Sequence, residues 1–457
     1  MTFFIAAVGS IGTQAIAGNT KHRINNVEGI NEEMLSPEFW QAKLADPESE
    51  VLSANQINKL NKDLLNKNSH MIDHESLADS INHEQLSALI KSISQPATSA
   101  RFFADKRLVS NDDYSRFEDN LNLKAIKSSQ PIQYGLVVKR TDLRTYPTHS
   151  KIFSTADDIN LDRFQETALF PAQVVAIYHQ SKDRQWYFVS SYNYSAWVAK
   201  KDVAIGKKTD VLDYYHAQPY LVITGDKVFT SSNPYNPKIS HQQLEMGIRL
   251  PLVEEKHKPV ILDGQNTFAS HVVKYPTRSE DGELVIQPAL IAKSQDISIG
   301  YLPLNRSKVI RQAFKFLGER YGWGHSFNAR DCTGFVGEIY KSFGILMPRN
   351  SGQQGISQQG ENIRFSSATS NQEKLKMIKQ LSTGDLIYLP GHVMMYLGQV
   401  NNQPYVIHDV AGYSYYDEQG VYQKSQLNGV SVTPLIPLQL NQETSYIDRI
   451  YNLKKIK

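Results

Sequence analysis

Apolar residues recur at three- and four-residue intervals in the first part of this chain. Between about residues 26 and 127, Leu and Ile follow this spacing in segments such as 56–65 and 83–93. The spacing predicts amphipathic helices, each with one apolar face. Prolines separate the segments, so we expect several short helices and not one long rod.

Short runs of β-branched and aromatic residues replace this pattern from Ile132 onwards. Up to Ile205 the runs are residues 136–138, 174–177, 186–189 and 197–198. Such runs, separated by turn residues, predict a small β-barrel. A second set lies between Tyr220 and Ile286 and contains a strong hairpin signal at Asp281-Gly282. We therefore expect two consecutive all-β modules.

Helix and strand patterns occur together from Tyr301 onwards. The apolar spacing in Ser307–Leu317 predicts a buried helix that ends at Gly318, and a second helix is predicted from Asp331 to Gly344. Strand signals follow at residues 386–388, 393–397 and 405–407. A helix followed by an antiparallel sheet is typical of α+β domains, so we expect a multidomain α+β protein.

The charge balance excludes some classes of function. The 49 Lys and Arg residues against 46 Asp and Glu residues give a formal net charge of +3. With no run of five or six like charges, the chain is not suited to neutralising many phosphates, and we expect no nucleic-acid partner. Beyond the first twenty residues no apolar stretch approaches the ~20 residues of a membrane helix, so we expect no stable membrane insertion. The oligomeric state is left open.

The first 17 residues have the features of a targeting segment. They carry no charged side chain, and an apolar core ends in Ala15-Ile16-Ala17, a small-x-small pattern before Gly18. This pattern predicts a signal peptide over residues 1–17 and export to the periplasm or cell envelope of a bacterium. A positive n-region is missing, and an ordinary buried N-terminal helix is the alternative.

Cys332 is the only cysteine, so the chain forms no internal disulfide and no cysteine-based zinc site. It is either a small buried apolar residue or a reactive thiol. The apolar face that follows it places Cys332 in the first turn of a helix, where free N–H groups and the helix dipole favour a thiolate. Asp331 is the expected N-cap, and because its charge opposes this effect, a basic partner is needed.

Two histidines are the candidates for that partner. His392 opens one predicted strand, and His408 closes the next. If these strands form a hairpin across Gln399–Pro404, the imidazoles lie within direct or diagonal cross-strand contact. One ring could accept the thiol proton while the other orients it. Such chemistry requires no metal and no cofactor, and a structural role for either histidine is the alternative.

Several motifs together resemble the NlpC-type papain-like cysteine peptidases. They are Tyr321-Gly322-Trp323-Gly324, Arg330-Asp331-Cys332-Thr333-Gly334-Phe335, Met347-Pro348-Arg349-Asn350-Ser351-Gly352-Gln353-Gln354, Gly384-Asp385-Leu386, Gly391-His392-Val393 and Ile407-His408. The β modules look like the paired bacterial SH3-type barrels of wall-peptide endopeptidases, and Phe39-Trp40 lies in what resembles their helical N-terminal region. The resemblance implies a signal peptide (1–17), a helical stabilising region (18–127), a first SH3-like barrel (128–206), a second SH3-like barrel (207–300) and a papain-like peptidase domain (301–457).

The resemblance also implies a reaction. The family cleaves the amide between γ-linked D-glutamate and an L-diamino acid in peptidoglycan stem peptides, with Cys332 matching its nucleophile, His392 its base and His408 its orienting residue. Peptidoglycan or murein peptides are then the expected partners. Whether the diamino acid is diaminopimelate or lysine, and whether the substrate is intact wall or recycled peptide, is left open.

Further residues match positions that bind substrate in relatives with this layout. Asp331, Tyr321, Trp323 and Ser351 match cleft positions. In those relatives an acidic residue beside the nucleophile, which matches Asp331, and a barrel tyrosine hold the free amine of an N-terminal L-Ala. Tyr194 is the candidate for that tyrosine, and Glu166 is a candidate for a second carboxylate. A carboxylate beside a primary ammonium forms a charge-assisted hydrogen bond and rejects blocked substrates.

The sequence departs from the family at a few positions. Thr333 stands where Ser is usual and adds a methyl group to the cleft. His325 replaces a common Gly, and we expect it to be exposed to solvent, with a new cleft residue as the alternative. Met394 and Met395 are expected in the core. An amidase or acyltransferase with the same thiol chemistry, or a non-catalytic wall-binding protein, are the alternative functions.

Overall fold

The computed structural model describes residues 27–417 and 419–457. The signal peptide expected over residues 1–17 lies outside the described residues. Among the residues described, no helix combines the length and the apolar character needed to cross a membrane.

Short helices and short strands make up the N-terminal region. In chain order they are α1 (Pro37–Gln41), β1 (Glu50–Leu52), α2 (Ala54–Lys67), β2 (Ser80–Asn82), α3 (His83–Ile93), β3 (Phe102–Phe103) and α4 (Asn111–Asn120). The prediction of helices over 56–65 and 83–93 is confirmed. Ser53 and Asn82 begin the two helices by accepting hydrogen bonds from backbone N–H groups of the first turn.

The next module contains one large antiparallel sheet. Its strands are β4 (Ser129–Pro131), β5 (Gln133–Val137), β6 (Thr141–Arg144), β7 (Ile152–Phe153), β8 (Gln165–Leu169), β9 (Val174–Gln180), β10 (Trp186–Ser190), β11 (Ser195–Ala199) and β12 (Val203–Gly206). Seven of them pair in the order β12-β5-β9-β10-β11-β6-β8. Nearly every residue of β9 and β10 is buried, which explains why these strands are continuous apolar runs in the sequence.

The second all-β module is divided into smaller sheets. It comprises α5 (Lys208–His216), β13 (Tyr220–Ile223), β14 (Lys227–Phe229), β15 (Gln243–Glu245), β16 (Arg249–Pro251), β17 (Ile261–Leu262), β18 (Gln265–Asn266), β19 (Ser270–Arg278), β20 (Leu284–Ala292), β21 (Ile297–Ile299) and β22 (Leu304–Asn305). Strands β16, β13 and β21 form one sheet, and β19 pairs with β20 over nine residues. Gly282, with φ +97°, lies in the connecting turn, so the hairpin prediction is confirmed.

Helices pack on both faces of a sheet in the C-terminal domain. The elements are α6 (Arg306–Phe314), α7 (Cys332–Lys341), α8 (Ser351–Ile356), β23 (Glu361–Arg364), α9 (Asn371–Ile378), β24 (Leu386–Leu389), β25 (His392–Val400), β26 (Gln403–Tyr416), β27 (Tyr422–Pro434), α10 (Tyr446–Arg449) and β28 (Asn452–Lys455). The six strands pair antiparallel in the order β23-β28-β24-β25-β26-β27.

The two faces of this sheet bury different apolar clusters. Met395 packs on the α7 side with Phe335, whereas Met394 packs on the opposite side with Ile378 of α9. Both methionines are fully buried, as expected for core residues. The N-terminal region joins the α7 side, because Trp40 of α1 is buried in the same cluster and β1 pairs with β22.

Two predicted element ends differ from the structure. The helix predicted to reach Leu317 is regular only to Phe314 and then tightens into turns before Gly318, which has φ +81°. His408 does not close its strand, because β26 continues to Tyr416. Asp409 and Gly412 are poor strand formers, but pairing with β27 carries the strand through them with a bulge near Gly412.

Candidate active site

Cys332 is the first residue of α7 and is 7% exposed. The helix begins here because the Asp331 carboxylate accepts the backbone N–H of Gly334 at 2.9 Å, which confirms Asp331 as the N-cap. The apolar face of α7, including Phe335 and Ile339, packs against the sheet and fixes the direction of the helix. The thiol is therefore carried on a rigid element next to β25.

Burial controls the charge state of this thiol. It raises the pKa of Cys332 to about 12, and the neighbouring charge of Asp331 acts in the same direction. A hydrogen bond from the backbone N–H of Val393 lowers the pKa but does not offset the burial. Burial thus outweighs the effect of the helix N-terminus, which favours a thiolate. The resting group is a thiol. Because Val393 follows His392, the sulfur lies beside the start of β25.

The two predicted histidines are in direct contact. His392 Nε2 and His408 Nδ1 are 2.8 Å apart, and pairing of Met395 with Ile407 places the rings on diagonal positions of β25 and β26. Burial lowers the pKa of His392 to about 4 and that of His408 further below its usual value. Both rings are neutral at physiological pH, so either can accept a proton.

A third strand continues this contact. His408 Nε2 lies 3.0 Å from the hydroxyl oxygen of Thr433 on β27, and Thr433 is fully buried. His392, His408 and Thr433 form a hydrogen-bonded row across three adjacent strands, here named the imidazole row. Nε2 of His392 is engaged within the row, which leaves its Nδ1 as the nitrogen available to a proton donor. No hydrogen bond among the described residues joins either ring to Cys332. Sequence reasoning missed Thr433, which looks like an ordinary strand residue.

Tyrosines surround the thiol. Burial raises the pKa of Tyr321 above its usual value, and negative charge on Cys332 would raise it further, as it would for Tyr388 and Tyr446. The ring of Tyr446 packs edge-on against His392 with centroids 6.2 Å apart. The structure thus places the predicted cleft residue Tyr321 near the sulfur and adds Tyr388 and Tyr446, which the sequence pattern did not single out.

The Asp331 carboxylate accepts hydrogen bonds from several groups of the protein. Its Oδ2 accepts Arg349 Nη2 at 2.6 Å and the Gly324 N–H at 3.1 Å, and its Oδ1 accepts the Thr333 hydroxyl at 2.9 Å in addition to the helix N–H. Burial alone would raise the pKa of Asp331, but the charge of Arg349 holds it well below its usual range. This carboxylate is ionised and fully hydrogen-bonded.

Arg349 connects helix α7 to the first barrel. Besides Asp331, its guanidinium donates to the hydroxyl of Thr333 at 2.5 Å and to the hydroxyl of Thr167 on β8 at 2.6 Å. Thr333, a predicted cleft residue, is 5% exposed and belongs to this group. Arg349 stands in one of the motifs, but no role was predicted for it.

His325 is buried, so the prediction that it is exposed to solvent is wrong. Its Nε2 lies 3.0 Å from Glu338 Oε1 and its Nδ1 lies 3.2 Å from the Thr167 hydroxyl. The left-handed backbone of Gly324 and His325 turns the ring inward, where β8 covers it. A side chain at Gly334 would come within 2.7 Å of the imidazole, which makes glycine necessary there.

The two candidates from the first barrel, Tyr194 and Glu166, contact each other. The hydroxyl of Tyr194 donates to Glu166 Oε2, and Glu166 Oε1 accepts the hydroxyl of Thr145 at 2.5 Å. Burial and the charge of Glu166 raise the pKa of Tyr194. The adjacent Asn193 donates to the carbonyl of Met347 at 3.0 Å, which anchors this turn on the catalytic domain. No hydrogen bond among the described residues joins Tyr194 or Glu166 to Asp331 or Cys332.

The other two cleft candidates, Trp323 and Ser351, are half-buried. The Arg163 guanidinium of the first barrel lies over the Trp323 ring, 5.4 Å from its centroid. Ser351 is the first residue of α8. Both residues are partly accessible, as binding of a ligand requires.

Asp409 is an acidic residue of this site that the sequence reasoning did not identify. It follows His408, is fully buried, and neither carboxylate oxygen has a hydrogen-bond partner among the described residues. Burial and the charge of Asp331 raise its pKa well above the usual value, which favours the protonated form of Asp409. Within the described ranges, no group of three His, Cys, Asp or Glu residues is arranged to hold a metal ion.

A helix that begins with a cysteine and packs beside an antiparallel sheet carrying two adjacent histidines is the arrangement of the papain-like fold. Within this fold, residues 318–432 match the NlpC/P60 family, and residues 147–199 match an SH3 domain of the SH3b1 type. The C-terminal domain of this chain thus matches the NlpC/P60 family, and a segment that matches an SH3 domain precedes it.

Two relatives illustrate the similarity. The gamma-D-glutamyl-L-lysine dipeptidyl-peptidase of Bacillus cereus (strain ATCC 10987 / NRS 248) is 28% identical over 222 residues, which are 46% of this chain and about half (55%) of that protein. The solved structure of an NlpC/P60 endopeptidase from Photobacterium damselae subsp. piscicida has a TM-score of 0.71 at 16% identity and covers 90% of this chain and 94% of that chain. The second likeness establishes a shared fold.

Proposed function

We propose that this protein is an endopeptidase that hydrolyses the γ-D-glutamyl to L-diamino acid amide of peptidoglycan stem peptides with a free N-terminal L-Ala. The observation that carries the proposal is the imidazole row beside the Cys332 thiol. The similarity to a γ-D-glutamyl-L-lysine peptidase supports the choice of amide.

The first chemical step is attack on the γ-glutamyl carbonyl. Nδ1 of His392 takes the proton of Cys332 as the sulfur forms a bond to the carbonyl carbon. Because both groups are neutral at rest, proton transfer accompanies the attack and does not precede it as a stable ion pair. His408 holds the ring of His392 in position through the 2.8 Å contact.

The second step releases the diamino acid. The backbone N–H of Cys332 is in the first turn of α7, where N–H groups have no partner within the helix, and it donates to the developing oxyanion. The imidazolium of His392 then protonates the amine as the C–N bond breaks. Water, activated by the same imidazole, cleaves the thioester and restores the thiol.

We assign recognition of the N-terminal amine to the first barrel. Asp331 already accepts four hydrogen bonds, so its remaining capacity for an ammonium group is small. Glu166 accepts only two hydroxyl donors and comes from the module that faces the 347–351 segment. A substrate ammonium paired with Glu166 and Tyr194 leaves Asp331 to position the helix.

The decisive experiment uses L-Ala-γ-D-Glu-diaminopimelate and its lysine counterpart with the purified full chain. We expect mass spectrometry to detect L-Ala-D-Glu and the free diamino acid, and Cys332→Ala to abolish both products. Undiminished turnover in this variant contradicts the proposal. Products cut at a different amide or ester indicate the amidase or acyltransferase alternative. Wall binding without hydrolysis, unaffected by alkylation of Cys332, indicates a binding protein.

The substrate also implies the location. We propose that the protein is exported and acts in the cell envelope, with cleavage of the N-terminal segment before Gly18. Sequencing the N-terminus of protein recovered from the envelope fraction checks this, and a chain that still begins at Met1 in the cytoplasmic fraction contradicts it.

A further inference from the structure

A cavity of about 110 Å³ lies where the four parts of the chain meet. Its wall includes residues of α2, of the first barrel, of the second β module and of α7. The aliphatic part of the wall includes Leu65, Ile72, Val174, Leu212, Ile248 and Leu346. Lys341 ends the helix that Cys332 begins, so the cavity lies about 14 Å along α7 from the thiol and is separate from the catalytic groove.

A cation without an acidic partner enters this cavity. The Lys341 ammonium group lies 5.6 Å from the centroid of the Tyr192 ring and makes no hydrogen bond or ion pair among the described residues. Its stem is fixed by Gly247, where an added Cβ would come within 2.8 Å of the Lys341 side chain. Burial lowers the pKa of Lys341 to about 8, as expected for an ammonium group that has lost water without gaining a counter-ion.

A second unpartnered donor lines the same wall. Arg249 uses Nη2 to bond the carbonyl of Ala217 at 2.9 Å, but its Nε–H is buried and has no partner. The guanidinium plane stacks over Tyr220 at 3.6 Å, which holds it in place. Two cationic groups with unused N–H donors in an apolar cavity are suited to an acceptor that carries negative charge.

The acidic side chains around the cavity do not pair with the Lys341 ammonium group or with Nε–H of Arg249. Glu75 pairs with His216 at 2.8 Å, and Asp73 accepts the backbone N–H of Glu75 at 3.1 Å. Glu338, one turn before Lys341 on α7, is bound to Arg330 at 2.5 Å and to His325.

The remaining titratable groups of the wall carry no negative charge. His74 bonds the carbonyl of Ser190 at 3.0 Å, and burial lowers its pKa, so the ring is neutral above pH about 7. Burial raises the pKa values of Tyr192, Tyr215 and Tyr301, so their hydroxyls are un-ionised.

We propose that this cavity is a second ligand site, which binds a small organic carboxylate with its carboxylate group on Lys341 and Arg249 and its apolar body against the aliphatic wall. An apolar cavity of about 150 Å³ accommodates benzene, so a body of about four or five carbon atoms fits here. The site does not depend on the proposed peptidase activity.

Calorimetric titration of the full chain with pentanoate tests this site. We expect one binding site with a Kd of about 1 mM, and at least about tenfold weaker binding of 1-pentanol, which has the same chain without the charge. Lys341→Met keeps the apolar stem and is expected to weaken pentanoate binding at least about tenfold. Lys200→Met is the matched control, because the Lys200 ammonium also lies over a tyrosine ring, that of Tyr187 at 5.3 Å, but outside the cavity.

The pH dependence of the unaltered chain provides a test that needs no variant. Between pH about 7 and about 9.5, deprotonation of Lys341 should weaken pentanoate binding while 1-pentanol binding stays constant. Equal affinity for both probes, unchanged pentanoate binding by Lys341→Met, or no detectable pentanoate binding overturns the proposal.

Discussion

Two polar groups flank Cys332 and differ in charge and in origin. The imidazole row is neutral and lies within one sheet, on adjacent strands β25, β26 and β27. The other group, here named the arginine cluster and made of Asp331, Thr333, Arg349 and His325, is built around an ion pair and is completed by Thr167 of the first barrel. A neutral row can exchange protons, whereas an ion pair held by a fixed guanidinium can only position its neighbours. We expect the first to control rate and the second to control stability.

The imidazole row should give the largest effect. His392→Gln removes the proposed base but keeps a polar side chain of similar size, so we expect kcat/KM on the γ-D-glutamyl tripeptide to fall about 10⁴-fold. The free energy of unfolding in urea should change by less than about 1.5 kcal/mol, because no charge is left unpaired. A variant that retains a tenth of the activity argues against His392 as the base.

The arginine cluster should respond in the opposite way. Arg349→Met leaves the buried carboxylate of Asp331 without its counter-ion, and we expect the free energy of unfolding to fall by about 3 to 5 kcal/mol. Arg320→Met is the control: the exposed Arg320 guanidinium bonds the Asn160 side chain and lies 5.2 Å from the centroid of the exposed Phe327 ring, and we expect a change within about 0.5 kcal/mol. Equal effects of the two substitutions contradict the structural role of the cluster.

The difference between these groups also explains what the sequence could predict. Cys332, His392 and His408 were singled out together because a helix-starting cysteine and two strand-end histidines form one pattern, and the strand patterns around the histidines placed them in a hairpin. The strands themselves were predictable from their runs of apolar residues. Thr433 was not predictable, because its place next to His408 depends on the register between β26 and β27.

The arginine cluster depends on contacts between modules, which periodicity within one segment does not reveal. His325 looks exposed because it stands in a glycine-rich turn, yet β8 of a distant part of the chain buries it. The strand was predicted to end at His408, immediately before Asp409, because an unpaired buried carboxyl group is contrary to ordinary patterning. Both errors arise from tertiary packing that overrides local preference.

Asp409 follows His408 of the imidazole row, and its pKa is raised by Asp331 of the arginine cluster. The pH dependence of the free energy of unfolding therefore tests its protonation. Its raised pKa means that the native chain keeps a proton that the unfolded chain loses, so its contribution to the free energy of unfolding falls as the pH rises above about 4. We expect the curve of Asp409→Asn to lack this fall. Above pH about 4, the difference in free energy of unfolding between Asp409→Asn and the unaltered chain should change by about 1.4 kcal/mol per pH unit for as long as the native chain keeps the proton. His392 and His408 titrate alike in both proteins and cancel in the comparison. Parallel curves contradict a protonated Asp409.

The smallest expected effect separates orientation from proton transfer within the imidazole row. Thr433→Val keeps the shape of the side chain but removes the hydroxyl 3.0 Å from His408 Nε2. The His408 ring then loses one restraint but keeps its contact with His392. We expect kcat to fall about tenfold with KM unchanged, because the bond holds the row and does not touch the substrate. Thr433→Ser retains the hydroxyl and should retain most of the activity. If Val and Ser lower kcat equally, the loss comes from packing and not from the hydrogen bond, and the row ends at His408.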